Sequence, residues 1–306
     1  MDMHVSFGGL DLKNPIMTAS GTFGFGLEFA PYGDLKKLGG IVAKGLSLKP
    51  REGNPMPRLA ETPCGMLNAI GIQNPGVENF VRQALPSLPW RDVAIVANLY
   101  ACDATEFGEL AGVLAGEEGI AALEVNVSCP NVKEGGIAFG QDPAQITKVT
   151  ESVKKNAGNK PVMVKLSPNV TDIAVCARAA ADGGADSLSL INTLSGMAVD
   201  IRSRKPRIAN VIAGLSGPAI KPVALRCVHQ VVRSVDIPVV GIGGIASAED
   251  VLEFLLVGAQ AVQIGTANFL RPDFSFNLVD EVEALLAEVG ASSLDEFRGS
   301  LQLPLA

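Results

Sequence analysis

In the stretch Glu124-Val125-Asn126-Val127-Ser128-Cys129-Pro130-Asn131 a thiol follows an apolar run and precedes a proline. The run from Ala121 to Val127, interrupted by polar Glu124 and Asn126, reads as a buried strand. Pro130 ends it, because proline cannot donate to a sheet ladder. The Gly-rich segment from Lys133 to Gly140 then reads as a loop. A cysteine in this setting has two readings. It is a small buried residue before a turn, or it is a proton acceptor, since an ordinary thiol pKa of about 8.5 is near enough to neutrality for general-base work. Only two histidines occur, His4 in the N-terminal arm and His229 inside a helical pattern, so acid–base chemistry must come from other groups.

The ends of the other apolar runs carry Ser20, Lys44, Asn98, Lys165, Asn192, Gly243-Gly244 and Gly265-Thr266. A lysine at a strand end is ordinarily a solvated terminus. Lys44 and Lys165 both lie within apolar strands, which that explanation does not cover. Gly241-Ile242-Gly243-Gly244-Ile245-Ala246 leads into a helix pattern at Ser247, and Gly265-Thr266 closes the next strand. Backbone N–H groups at those places bind phosphate in many barrels. The same string also matches a dinucleotide fingerprint, but that site wants an acidic ribose ligand after the next strand, where Gly265-Thr266 stands. A mononucleotide phosphate fits better. With asparagines 68, 126, 131 and 192 able to address a flat amide ring, the set points to a flavin beside a small heterocycle that loses a proton and a hydride. In that setting Lys165 offsets negative charge on the reduced ring, an effect worth about 3 kcal/mol of barrier.

Eight apolar, largely β-branched runs must position these groups: Ile16 to Ser20, Gly40 to Gly45, Val93 to Leu99, Leu123 to Ser128, Val162 to Leu166, Ser187 to Asn192, Val239 to Gly243 and Ala261 to Gly265. Helical patterns between most of them imply parallel crossovers. Asp142-Pro143 predicts the start of a helix ending near Gly158, Ser247 starts one that stops at Gly258, and Thr171 is the expected cap of a helix ending at Gly183-Gly184. Eight such units predict an α/β fold, a (β/α)8 TIM barrel, with residues 1–306 forming one unit. An N-terminal hairpin about Gly8-Gly9 is expected to plug its bottom. Long insertions follow strand 2 (Ser47 to Arg91) and strand 6 (Thr193 to Asp236). In the second, Ala198 to Ile201 and Ile208 to Ile212 predict a protruding hairpin.

The chain has 306 residues, 47% hydrophobic and 19% charged, with 33 glycines and a formal net charge of −7. That balance gives no basic footprint for a nucleic acid or an anionic membrane. No run approaches a membrane span and no signal peptide is evident, so a cytoplasmic protein is expected. The five cysteines (64, 102, 129, 176 and 227) are scattered without a Cys-x-x-Cys pair, which argues against disulfides, zinc and iron–sulfur ligation in this chain.

Several motifs, Thr18 to Gly26, Arg51 to Pro55, Met66 to Gly76, Asn126 to Asn131 and Gly241 to Ile245, together resemble the class 1 dihydroorotate dehydrogenases, over most of the chain. The Met66 to Gly76 stretch resembles the NAD-linked (1B) subclass. The resemblance implies an FMN-containing barrel that oxidises dihydroorotate to orotate in pyrimidine synthesis, with Cys129 as the catalytic base. It further implies that FMN is held by Ser20, Lys44, Gly45, Asn98, Asn126, Lys165, Ile191, Gly217, Gly243, Gly244, Gly265 and Thr266. Substrate would meet Lys44, Asn68, Ala69, Ile70, Gly71, Ile72, Asn126, Asn131, Asn192 and Thr193. Electrons would pass to NAD through a partner subunit carrying FAD and a [2Fe–2S] cluster, around a homodimer core within a heterotetramer. Cys64, in Pro63-Cys64-Gly65, has no role in this scheme.

Three other functions share parts of the pattern. A flavin barrel that reduces uridine in tRNA needs a basic face, which an acidic chain does not favour. A Schiff-base aldolase would use Lys165 as a nucleophile and is distinguished by borohydride trapping. A catalytically silent scaffold would carry no chromophore. The visible spectrum of the purified protein separates flavin from the last two.

Overall fold

The strands close into a barrel because their residues are buried on both faces, the condition under which parallel β-branched strands are stable. The structure is a computed structural model and describes residues 1–127 and 139–304. Its barrel strands are β1 (Ile16–Thr18), β2 (Gly40–Val42), β3 (Ala94–Leu99), β4 (Ala122–Asn126), β5 (Val162–Leu166), β6 (Ser187–Leu190), β7 (Val239–Ile242) and β8 (Ala261–Ile264). They pair in parallel in chain order, and Val262 opposite Ile16 closes the ring. These are the eight runs expected from the sequence, each within a few residues of its bounds. Helices pack outside, and the fold is the expected (β/α)8 barrel. Among the described residues no helix is long and apolar enough to cross a membrane.

The helix starts follow side-chain chemistry. Asp142 accepts from Ala144 N ahead of Pro143–Asn156, and Ser247 accepts from Asp250 N ahead of Ala248–Leu256. The cap of Ile173–Asp182 is Asp172, not Thr171: Asp172 is extended and its carboxylate accepts from Ala174 N at 3.0 Å. A carboxylate directly before the first helical residue reaches the open N–H groups that a hydroxyl one residue earlier does not. Gly241 has a packing role. A Cβ there would fall 2.4 Å from the Phe254 ring, so the bare backbone lets the Ala248–Leu256 helix sit close on the barrel.

The N-terminal strands Val5–Phe7 and Leu10–Leu12 pair antiparallel about Gly8 (φ 52°) and Gly9 (φ 81°), the left-handed pair that a two-residue hairpin turn demands. Gly8 lies against Asp186 and Gly9 against Pro161, the residues just before β6 and β5. The hairpin therefore covers the amino ends of the strands, opposite the mouth.

The two insertions join each other over the mouth of the barrel. Leu59–Thr62 and Gly65–Asn68 form a hairpin in the first. In the second, Leu194–Gly196 pairs antiparallel with Ala213–Ser216, and that strand pairs with Gly65–Asn68 to make one four-stranded antiparallel sheet. Beneath it Ala60, Leu67, Ile208 and Ala213 form a small apolar cluster of their own. The protruding hairpin exists but is shorter than expected, Val199–Asp200 against Lys205–Pro206. Asp200 accepts from the N–H groups of Arg202 and Ser203, which turns the chain early. The run Ile208 to Ile212 is not its second strand. Burial of Ile208 in the cluster and a left-handed Val211 (φ 65°) break the alternation.

Candidate active site

Strand register places the polar groups. Asn98 on β3 stands beside Glu124 on β4, while Lys165 on β5 stands beside both Asn126 on β4 and Ser189 on β6. Neighbours in a parallel pair face the same way, so these side chains converge inside the barrel near its carboxyl end. Glu124 is fully buried, Asn98 is 1% exposed and Lys165 is 5% exposed. Asn98 Nδ2 donates to Glu124 Oε2 at 2.6 Å, and Lys165 Nζ lies 3.8 Å from the same oxygen. One residue pair higher, Asn192 Nδ2 donates to Asn126 Oδ1 at 3.2 Å, which fixes how both amides face.

Above this floor lies a cavity of about 420 Å³, enclosed by the strand ends and the inserted sheet. The expected cofactor residues Ser20, Lys44, Gly45, Asn98, Asn126, Lys165, Ile191, Gly217, Gly243, Gly244, Gly265 and Thr266 all line it. So do the expected substrate residues Asn68, Ala69, Ile70, Gly71, Ile72, Asn192 and Thr193. Cys129 and Asn131 lie outside the described residues. Among the described lining residues Lys44 and Lys165 carry charge and no carboxylate is present, so the cavity suits an anion.

One wall is bare backbone. Gly243 and Gly244, with φ of 123° and 80°, turn the chain between β7 and the Ser247-capped helix. A Cβ on Gly244 would fall 2.6 Å from Lys221 N. The Lys221 ammonium is engaged by Asp250 at 2.5 Å and Glu253 at 2.9 Å. Burial lowers its pKa, but these hydrogen bonds outweigh that and leave it raised. Next to this turn Thr266 Oγ1 donates to Ser216 Oγ at 2.8 Å, joining the end of β8 to the inserted sheet.

The roof is a loop held by amides that sequence reasoning left without a role. Asn74, 6% exposed, accepts from the N–H groups of Ser47 and Gly76 and donates to Ser47 Oγ and to Ile72 O. Ile72 has φ 55°, a conformation β-branched residues rarely adopt. Asn54 grips the same loop, with its N–H on Ile70 O and its amide on Ala69 O. Asn169 donates to Thr193 O and accepts from Ser195 N, pinning the start of the second insertion. Glu124 is visible in the sequence, as a charge inside an apolar run; the others lie in connections and reach partners 15 to 27 residues away, Asn74 binding its own neighbours as well.

Three of the described thiols are held in the protonated form. Burial pushes Cys176 and Cys227 up, and burial together with Glu106 does the same to Cys102. Cys64 sits exposed at the turn of the first inserted hairpin, where its carbonyl accepts from Ala219 N.

Comparison with known proteins adds a family to this geometry. The family model described as dihydroorotate dehydrogenase matches residues 2–286. A protein of Maridesulfovibrio salexigens named dihydroorotate dehydrogenase B (NAD(+)), catalytic subunit, is 76% identical over 304 residues, covering 99% of this chain and 100% of its own. Proteins of the same name from Solidesulfovibrio magneticus and from a Geobacter species are 70% and 55% identical, each over 99% of both chains.

Proposed function

This chain belongs to the dihydroorotate dehydrogenase family, and from that premise we propose that it is the FMN-bearing catalytic subunit of an NAD-linked enzyme oxidising (S)-dihydroorotate to orotate in cytoplasmic pyrimidine synthesis. The observation that carries the proposal is the cavity itself, where two lysines, a bank of amides and a bare-backbone wall meet without a carboxylate among the described lining residues.

The residues fit FMN. The turn at Gly243-Gly244 offers oxyanions a wall without side chains, continued by Gly265-Thr266. At the other end Gly45 leaves room that a Cβ would fill, 3.0 Å from Asn98 Oδ1. Ser20, Ile191 and Gly217 line the space between them, with Lys165, Asn98 and Asn126 below. When bound, FMN supplies the two-electron acceptor that takes the hydride. Lys165 offsets negative charge there. Lys44, Asn68, Asn126, Asn192 and Thr193 hold the anionic substrate, and the loop Asn68 to Ile72 covers it. Cys129 takes the ring proton and Asn131 meets the substrate, roles that come from the family motif and from their place in the sequence just after β4.

Reoxidation needs a second protein. No acidic ribose ligand follows the Gly243-Gly244 turn, and the scattered cysteines cannot hold an iron–sulfur relay. A partner subunit with FAD and [2Fe–2S] passes the electrons to NAD, in an assembly of two of each chain. Exposed apolar side chains support a docking surface on the insertions and the mouth: Ile201 is 87% exposed and Leu270 76%, with Met56, Met197 and Ile212 also open.

The test uses the purified chain. It should be yellow, bleach on adding dihydroorotate and reduce artificial dyes, yet form no NADH at a useful rate. Cys129→Ser should keep FMN and orotate binding while flavin reduction slows by about 10²- to 10⁴-fold at pH 7 and recovers partly at high pH. Rapid NADH formation by the isolated chain removes the partner from the scheme; near wild-type reduction by the variant removes the thiol.

A further inference from the structure

Glu124 stands below the cavity without lining it, and it has no place in the reaction as described above. All of its recorded contacts come from donors: Ser189 Oγ at 2.8 Å and Gln263 Nε2 at 2.7 Å on Oε1, Asn98 Nδ2 at 2.6 Å and Lys165 Nζ at 3.8 Å on Oε2. A carboxylate accepts the first three as hydrogen bonds and pairs with the ammonium as an ion; a carboxylic acid could turn its proton only to the Ser189 hydroxyl and would leave no charge opposite Lys165. Gln263 is oriented by the same carboxyl group. Its Oε1 is buried without a hydrogen-bond partner because its nitrogen is committed to Glu124, and flipping the amide would set oxygen against oxygen. The same constraint acts on Asn98. With Nδ2 held by Glu124, its Oδ1 faces Gly45 at the cavity wall.

We infer that Glu124 is a positioning residue for the cofactor site: its carboxylate fixes Asn98 with the carbonyl oxygen toward the cavity and partly balances the charge of Lys165. The ligand edge that meets Asn98 is then a hydrogen-bond donor. The ammonium that offsets negative charge above it works against a counter-charge built into the barrel. This rests on the flavin dehydrogenase function proposed above. Glu124 does not line the cavity and acts through its two neighbours.

The experiment is dye equilibration of the flavin reduction potential in wild type and Glu124→Gln, each purified with its FMN. The substitution keeps the shape and removes the charge. With the Glu124 counter-charge removed from beside Lys165, the potential should shift upward, by at least a tenfold change in the reduced-to-oxidised ratio, about 30 mV for a two-electron couple. A packing defect alone has no reason to raise it. An unchanged or lowered potential overturns the inference. If Glu124→Gln does not hold FMN, infrared spectra of the wild type decide. Glu124 is the one fully buried carboxyl among the described residues, so a protonated-carboxyl band at pH 7 overturns the inference and its absence, with the ionised form only, supports it. A colourless wild type sinks the flavin function first, whereas a yellow wild type with the wrong response to Glu124→Gln sinks this inference alone.

Discussion

At the floor of the cavity Asn98, Glu124 and Lys165 come from three adjacent parallel strands and are none more than 5% exposed, whereas the roof is drawn from two insertions whose sheet leaves Leu59 exposed and Met66 and Asn68 half-buried. Floor groups are held by one another, charge on amide, in surroundings where an unmade bond is costly. Roof groups are held by backbone bonds and by Asn54 and the buried Asn74, beneath a sheet that is partly open to water. A rigid, electrostatically balanced floor suits a resident cofactor. The more open roof, built from connections, suits something that comes and goes, substrate on its inner side and a partner on its outer side.

The contrast breaks if damage to the floor and to the roof has the same consequence. The largest effect is expected from Lys165→Ala, which removes the floor's cation and leaves Glu124 with only its neutral donors, the Ser189 hydroxyl and two amides. FMN retention should weaken, the potential of retained FMN should fall, and its reduction by dihydroorotate should slow by about 10²-fold or more. A potential equal to wild type, read by dye equilibration, would make this lysine structural.

Asn74→Ala acts on the roof. It leaves several backbone groups unpaired, and an unsatisfied buried group costs about 1–3 kcal/mol. The loop holding Ile72 in its left-handed conformation should relax, raising KM for dihydroorotate roughly tenfold, the equivalent of about 1.4 kcal/mol. The flavin potential should stay where it is. A shifted potential with unchanged KM would erase the distinction between the two regions.

The smallest effect belongs behind the wall, at Lys221. Lys221→Met removes its pairs with Asp250 and Glu253, for a loss of about 1 kcal/mol in denaturant unfolding and little change in KM or potential. The folded pKa of Lys221 is raised above its ordinary value. Its contribution is therefore fully present below the ordinary lysine pKa and lost as pH rises through the folded one. Wild type and variant should differ by a constant amount near neutrality and converge only in strong alkali. Convergence near pH 7 would show that the ion pairs do not carry the difference.

By itself the sequence determined the barrel, because eight β-branched runs between capped helices have few other ways to bury both faces of a parallel sheet. It also singled out strand ends that line the cavity, since a lysine or an amide at the end of an apolar run stands out against its neighbours. Thr171 in place of Asp172 is the size of error this local reading makes. Pairings between distant residues come from the folded chain alone. Asn68 and Gly214 stand opposite each other in one sheet, although neither insertion's own pattern names the other. Ile208 is buried by a cluster to which Ala60 and Leu67 contribute, so its run could not be read as a strand or a turn from alternation alone. Glu124 shows the physical reason most directly. An acidic residue inside an apolar strand is visible in the sequence, but its donors arrive from β3, β5, β6 and β8, and only closure of the barrel brings four strands close enough for one carboxylate to bind them all.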